Sequence, residues 1–421
     1  MSSNLGMATG ELQHMHIEGG GESLWKEAFK RLLKDRIAVF GGIVIILLVL
    51  LAIAAPWFSP HKPHAQYANG TSAYGMPLPI NSWGKQMTLE LNQPPKRLLV
   101  IPPNVVYVTP QGEEFTARDN ISFQPGQKTA TVPVNPVRPE MAKAADKSSL
   151  KLENAEDLNL PIASAQLQND KLFLLGTDAS GRDVMSRLIF GAQVSLQVGV
   201  IAIGLAVIIG CVLGLISGYF GGWVDAVIMR LTDIMMAFPD LLLVMAIVAV
   251  INPSQLGNSD RAFDKALNSF FGLAGFVGVT PEVIFICIAI SIVSWTQYAR
   301  LVRSQVLTVR EMEFVEASRS LGARDTYIMF KHILPNVAAP IIVVATMGIA
   351  GAIMTEASLS FLGFGVKVPT ASWGSMINDG LGYFRDAPLI PLVPGLAIAI
   401  TVFAFNLFGD GVRDALDPRL K

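Results

Sequence analysis

Side chains able to do chemistry are few in this 421-residue chain, and their spacings rule out more than they suggest. His14 with His16 and His61 with His64 could begin a nickel or copper site. Neither pair has further ligands nearby, which a metal of that kind needs. No G-x-x-x-x-G-K-[ST] phosphate loop occurs, and neither H-E-x-x-H nor G-x-S-x-G is present. No carboxylate pair sits at helical spacing inside an apolar run, and Glu356 and Asp240 are expected near the ends of such runs. Cys211 and Cys287 lie within long apolar stretches and read as packed thiols. The densest mixture of charged, small and apolar groups is 313–335. There Phe314, Ala317, Ser318 and Leu321 recur at i, i+3, i+4 and i+7, an amphipathic helix with a narrow small-residue face. Gly322 can take positive φ and stop it, Asp325 is placed to cap a second short helix, and Pro335 opens an apolar run. Glu316 and its charged neighbours flank that face. Such a surface suits the close seating of another protein, with charges setting the register; taken alone, the segment equally fits a solvated surface helix with no partner.

The elements that must carry this surface are membrane spans. Hydrophobic residues make up 51% of the chain and charged residues 15%, with a net charge of −1, and mean hydropathy is +0.46. A soluble domain of this size carries about 25% charge, so lipid contact is indicated. With no global basic field, nucleic acid is not a partner. Apolar runs of spanning length fall at Ile37–Phe58, Leu196–Ser217, Ile234–Ile251, Val283–Trp295 (if extended to Leu301), Val337–Met354 and Leu389–Phe408. These are expected to be six uninterrupted helices. The first is too long for a signal-peptide core and reads as a retained anchor. Lys26, Lys30, Arg31, Lys34 and Arg36 precede it. Arg300, Arg303, Arg310, Arg319, Arg324 and Lys331 lie between the fourth and fifth, and Arg413, Arg419 and Lys421 close the chain. The loops near 252–281 and 361–388 hold two basic residues each. This bias puts both termini in the cytoplasm. Gly210, Gly214 and Gly218 line one helix face, for packing within the chain or against a partner subunit.

The 313–335 segment resembles the EAA loop of ATP-binding-cassette (ABC) importer permeases: Glu-Ala-Ala, three residues, Gly, nine residues, Ile, one residue, Leu-Pro. Glu316, Ala317, Gly322, Leu334 and Pro335 match in register, Ser318 replaces the second Ala, and His332 takes the Ile position. Gly176-Thr177-Asp178, Gly181-Arg182-Asp183, Ser186-Arg187 and Gly191 resemble the segment before the second span of the dipeptide/oligopeptide/nickel permeases. Gln193 stands where arginine is common. Gly218–Asp225, Glu356–Gly363 with Trp373-Gly374, and Asn406–Arg419 with Gly409, Asp410 and Arg413 resemble later segments of that family, within its "C" type. The resemblance implies an all-α polytopic membrane protein with the six-helix type I importer permease fold. It also implies no catalysis on this chain, with ATP and magnesium held by two cytoplasmic ATPase subunits. The loop would then seat on an ATPase, a homologous permease would supply the other half of the pathway, and an extracytoplasmic binding protein would deliver the solute. Peptide is the expected solute; nickel or another small solute is the alternative.

The main departure from the family is the extracytoplasmic insertion, 59–175. Nine prolines fall between Pro94 and Pro139, and β-like runs occur at Arg97–Ile101, Asn104–Val108 and Thr129–Val132, with a turn at Gln111-Gly112. Residues 140–160 read as polar and helical. A small β-containing subdomain is expected, either contacting a binding protein or packed on the permease mouth. The organisation is then 1–36, a cytoplasmic segment with a basic amphipathic helix; 37–58, the first span; 59–175, the insertion; 176–410, the permease core; and 411–421, a cytoplasmic tail. Two other classes fit less well. An intramembrane enzyme needs a nucleophile and base facing each other within the spans, and an ion-driven carrier needs central ionisable groups.

Overall fold

Asp35 divides the N-terminal arm into two helices, α1 (Leu24–Lys34) and α2 (Arg36–Ile53). Its carboxylate accepts the Ile37 amide at 2.9 Å, satisfying one of the donors that a helix start leaves unpaired. A single turn, α3 (Ala55–Phe58), follows. In this computed structural model the described residues are 24–417 apart from 74, 104, 110–111, 139–147, 150, 154–161, 252–279 and 368–369. His14, His16, Arg261, Lys265, Arg419 and Lys421 therefore lie outside the described residues.

The insertion is one connected sheet plus a short ribbon. Its strands are β1 (Ser82–Leu91), β2 (Leu99–Ile101), β3 (Val106–Val108), β4 (Glu114–Ala117), β5 (Ile121–Phe123), β6 (Thr129–Pro136), β7 (Ser148–Ser149), β8 (Lys151–Glu153) and β9 (Ile162–Phe173). Seven form an antiparallel sheet in the order β7-β9-β1-β6-β4-β3-β8, and β2 pairs with β5. In β1, Met87, Leu89 and Leu91 point inward with Tyr107, Phe115, Phe123 and Leu167, while Gln86, Thr88 and Glu90 alternate outward. The three expected runs appear as β2, β3 and β6, and Gly112 has φ 83°. The helical expectation for 140–160 is corrected: its described residues that pair are the strands β7 and β8. Pairing partners far along the chain decided this, and a local reading does not see them.

Among the described residues, five helices are long and apolar enough to cross a membrane. They are α2, α4 (Val184–Phe220), α7 (Pro281–Val309), Asp325–Phe361 and α12 (Leu389–Leu416). A further pair, α5 (Gly222–Met236) and α6 (Asp240–Ile251), passes the same test only when joined, and it is bent by 93°. The uninterrupted span expected over Ile234–Ile251 is therefore corrected. Pro239 lacks an amide proton and disfavours helical φ/ψ at Phe238, so the chain breaks between Met236 and Asp240. The fourth run reaches spanning length as expected and continues past Leu301, because Val302, Val306 and Val309 extend its buried stripe.

Gly210, Gly214 and Gly218 pack inside the chain. A Cβ on Gly210 would lie 2.5 Å from Tyr298 Cβ, one on Gly214 2.6 Å from Ala299 O, and one on Gly218 2.8 Å from Val306 Cβ. Glycine thus lets α4 and α7 run at near-backbone contact. The remaining elements are α8 (Glu313–Ser320), α9 (Asp325–Tyr327), α10 (Leu334–Phe361), joined to α9 by a π-helical stretch at Ile328–Ile333, and α11 (Trp373–Leu381).

Candidate functional site

The 313–335 segment forms a helical hairpin on the C-terminal ends of α4 and α7. Val315 is fully buried and joins Leu215, Val302, Val306, Ile328 and Ile333 in one apolar cluster. The expected small-residue face turns outward: Phe314 is 39% and Leu321 88% exposed, Glu316 and Ala317 are exposed, and Ser318 is half-buried. One residue thus anchors α8 while its other side is left uncovered. Gly322 has φ 77° and lets the chain reverse, in a region that costs a side-chain-bearing residue strain. The capping role expected for Asp325 is corrected. Arg324 holds the cap position without a side-chain bond, and Asp325 begins the helix. Its carboxylate instead accepts the Tyr219 hydroxyl at 2.6 Å, tying the hairpin's second limb to the end of α4. Arg319 lies 5.7 Å over the Tyr219 ring, and Arg310 Nη1 donates to Gly218 O at 2.8 Å. Leu334 is half-buried, and Pro335 sits exposed in the first turn of α10, where a missing amide proton costs nothing.

An ion pair absent from the sequence reading stands beside this hairpin. Arg303 donates twice to Asp225, once at 2.5 Å, and Ser217 Oγ donates to the same carboxylate at 2.5 Å. The group fixes α5 against α4 and α7. The residues are 78 apart, and no local pattern marks them.

The segment 176–187 forms a second cluster at the opposite end, where the insertion joins the helices. Arg182 Nε donates to Asp178 at 2.6 Å and its Nη2 to Asp379 at 2.8 Å. Arg187 reaches the same two carboxylates, Asp379 at 3.1 Å. Asp178, Arg182 and Arg187 are buried, so the charges are compensated within a low-dielectric network. Asp379, on α11, is the member the sequence reading missed. Asp183 caps α4 by accepting the Ser186 amide at 2.8 Å, and His61 Nδ1 lies 3.4 Å from the same carboxylate. Thr177 Oγ1 donates to Gly70 O and accepts the Leu78 amide at 2.8 Å, stitching the insertion to the helices. Gly176 and Gly181 have φ of 76° and 75°; at Gly181 a Cβ would come within 2.7 Å of Tyr67 O.

The other family-motif residues lie apart from both clusters. Glu356 is fully buried and accepts Ser195 Oγ at 3.1 Å and Ser360 Oγ at 2.7 Å. Gly409 faces Met347, while Asp410 and Arg413 are exposed near the end of α12. Cys287 is buried and Cys211 half-buried, neither in a disulfide.

Comparison with known proteins gives this geometry its setting. Residues 210–421 match the family described as binding-protein-dependent transport system inner membrane component. Residues 23–95 match the N-terminal TM domain of oligopeptide transport permease C. The chain is 44% identical over 246 residues to the dipeptide transport system permease protein DppC of Alkalihalophilus pseudofirmus, covering 58% of this chain and 72% of that one. It is 40% identical over 247 residues to the glutathione transport system permease protein GsiD of Pectobacterium atrosepticum, covering 59% and 73%. It is 42% identical over 249 residues to DppC of Haemophilus influenzae, covering 59% and 75%. Long apolar helices, an exposed hairpin and these matches agree: the chain belongs to the family of inner membrane permease components of binding-protein-dependent ABC importers, whose ATP hydrolysis resides on a partner subunit.

Proposed function

We propose that this chain forms half of the pathway of a peptide importer and couples to a cytoplasmic ATPase through the α8–Gly322–α9 hairpin. The observation that carries the coupling role is the uncovered face of α8: Phe314, Ala317 and Leu321 point outward while Val315 holds the helix down. Glu316 and Ser318 border that face. Leu334 and Pro335 lead from the hairpin into α10, so a load on the hairpin passes to a spanning helix. Peptide as solute is supported by the dipeptide and glutathione permeases among the relatives. The complex would hold a homologous permease as the second half, two ATPase subunits carrying ATP and magnesium, and an extracytoplasmic binding protein. Both termini would face the cytoplasm with the hairpin, and the insertion would face outward. In this scheme the Asp178–Arg182–Arg187 network, with Gly176, Thr177, Gly181, Asp183 and Ser186, holds the outer mouth, and Gly409, Asp410 and Arg413 belong to the inner rim.

Purification of the complex from intact membranes in mild detergent tests the coupling surface. Wild type should retain a P-loop ATPase and a second permease. Glu316→Lys and Gly322→Pro should lose the ATPase and keep the second permease. Retention of the ATPase by both variants would place the contact elsewhere.

A further inference from the structure

The break at Phe238-Pro239 has a chemical result. It starts α6 at Asp240, which lines a cavity with residues from the middles of three spanning helices. Asp240 shares a cavity of about 330 Å³ with Ser294 and Gln297 of α7 and with Gly348, Gly351 and Thr355 of α10. Gln297 is 16 residues from the start of α7 and 12 from its end; Gly348 is 14 and 13 from the ends of α10. Asp240 is the first residue of α6, as expected of a residue near the end of a run, and the cavity sets that end beside the middles of α7 and α10. Four of these residues, Asp240, Ser294, Gln297 and Thr355, are polar.

The two carboxylates of this region are treated differently. Glu356 is fully buried and bonded to Ser195 and Ser360. Asp240 is exposed, and among the described residues its carboxylate has no hydrogen-bond or ion-pair partner. A carboxylate facing acyl chains at mid-bundle is costly, and such groups characteristically face water-filled cavities. Broken backbone at this depth is likewise tolerated where it lines a cavity. A second orphan group adjoins the site. The Tyr298 hydroxyl is buried without a partner, directly behind Gly348, where a Cβ would collide with it.

We infer that the Asp240 cavity lies on the translocation pathway and is a transient site for the α-ammonium group of a passing peptide. This rests on the peptide-importer reading above. Asp240 supplies the opposite charge, while Gln297 and Ser294 offer donors and acceptors to the first peptide unit. An open, solvated carboxylate attracts a cation without holding it tightly, as a pathway site must. The N-terminus of α6 partly offsets the Asp240 charge and weakens the attraction further.

The test uses the whole importer in proteoliposomes, with partner permease, ATPases and binding protein. The variants are Asp240→Asn and Asp240→Cys, and the probe is uptake of a tripeptide with free termini. Asp240→Asn should lower uptake about ten-fold and leave binding-protein-stimulated ATP hydrolysis within two-fold. Asp240→Cys should react with water-soluble methanethiosulfonates. A sulfonate-bearing reagent, which restores a negative charge, should raise its uptake; a trimethylammonium reagent should abolish it. Wild type treated with both reagents controls for Cys211 and Cys287. No labelling of the Cys variant overturns the pathway placement. Equal effects of the two reagents overturn the charge role. Failure of wild type to import any tripeptide, with labelling intact, would instead count against peptide as the solute.

Discussion

The two ends of the helical body handle charge in opposite ways. At the end joined to the insertion, Asp178, Arg182 and Arg187 are buried and cross-bonded, with Asp379 closing the network from another helix. At the other end, Glu316 and Arg319 sit on a hairpin whose apolar residues Phe314 and Leu321 are also exposed. The first end is complete by itself. The second has the composition of half an interface, with apolar groups ringed by charge. A cluster finished within one chain serves the fold; under the coupling proposed above, the surface left unfinished is where a partner seats.

Several measurements would break or sharpen that contrast. The largest effect is expected from Arg187→Ala, which removes one of the two guanidiniums paired with the buried Asp178 carboxylate. Loss of one partner from a buried pair costs about 3–5 kcal/mol, so the unfolding midpoint of the detergent-solubilised chain should fall sharply. An unchanged midpoint would mean that the network is not what holds this end. Next is Gly214→Leu, which drives a side chain into Ala299 and Val302. Overpacking of this kind costs about 1–3 kcal/mol, visible as poorer accumulation and a lower midpoint. Tyr219→Phe deletes the bond to Asp325 without touching the exposed face. At about 1 kcal/mol for such a bond, amide exchange over 319–325 should speed up about five-fold while the spans are unaffected. The smallest effect on the chain alone belongs to Leu321→Ser and Phe314→Ser, within about 0.5 kcal/mol. If those same variants fail to retain an ATPase, the contrast holds at full strength; if they destabilise the chain as much as Arg187→Ala does, it collapses.

Much of this arrangement was legible along the chain. Hydropathy located the spanning helices, and the i, i+3, i+4, i+7 spacing located α8. Gly322 marked its turn. What stayed hidden depends on contacts between distant segments. Asp379 meets Arg182 across 197 residues, and Tyr219 meets Asp325 across 106. β1 and β9 contain Lys85, Gln86, Glu90 and Asn169 among their apolar residues, and their pairing is set by register, not by composition. Pro239 was a readable warning against a straight span, because proline biases the residue before it away from helix. Mean hydropathy over a window cannot register a bend, so it does not show that the helix end at Asp240 falls beside the middles of α7 and α10.

The π-helical stretch between α9 and α10 gives the hairpin a mechanical meaning. From Asp325 to Phe361 the chain reads as one helix of 37 residues, about 55 Å long at 1.5 Å per residue. Such a rod is a lever with its handle in the hairpin. Beyond Pro340 it carries Gly348, Gly351 and Thr355, one wall of the Asp240 cavity. Under the coupling proposed above, a tilt of the handle reaches that chamber along this one helix.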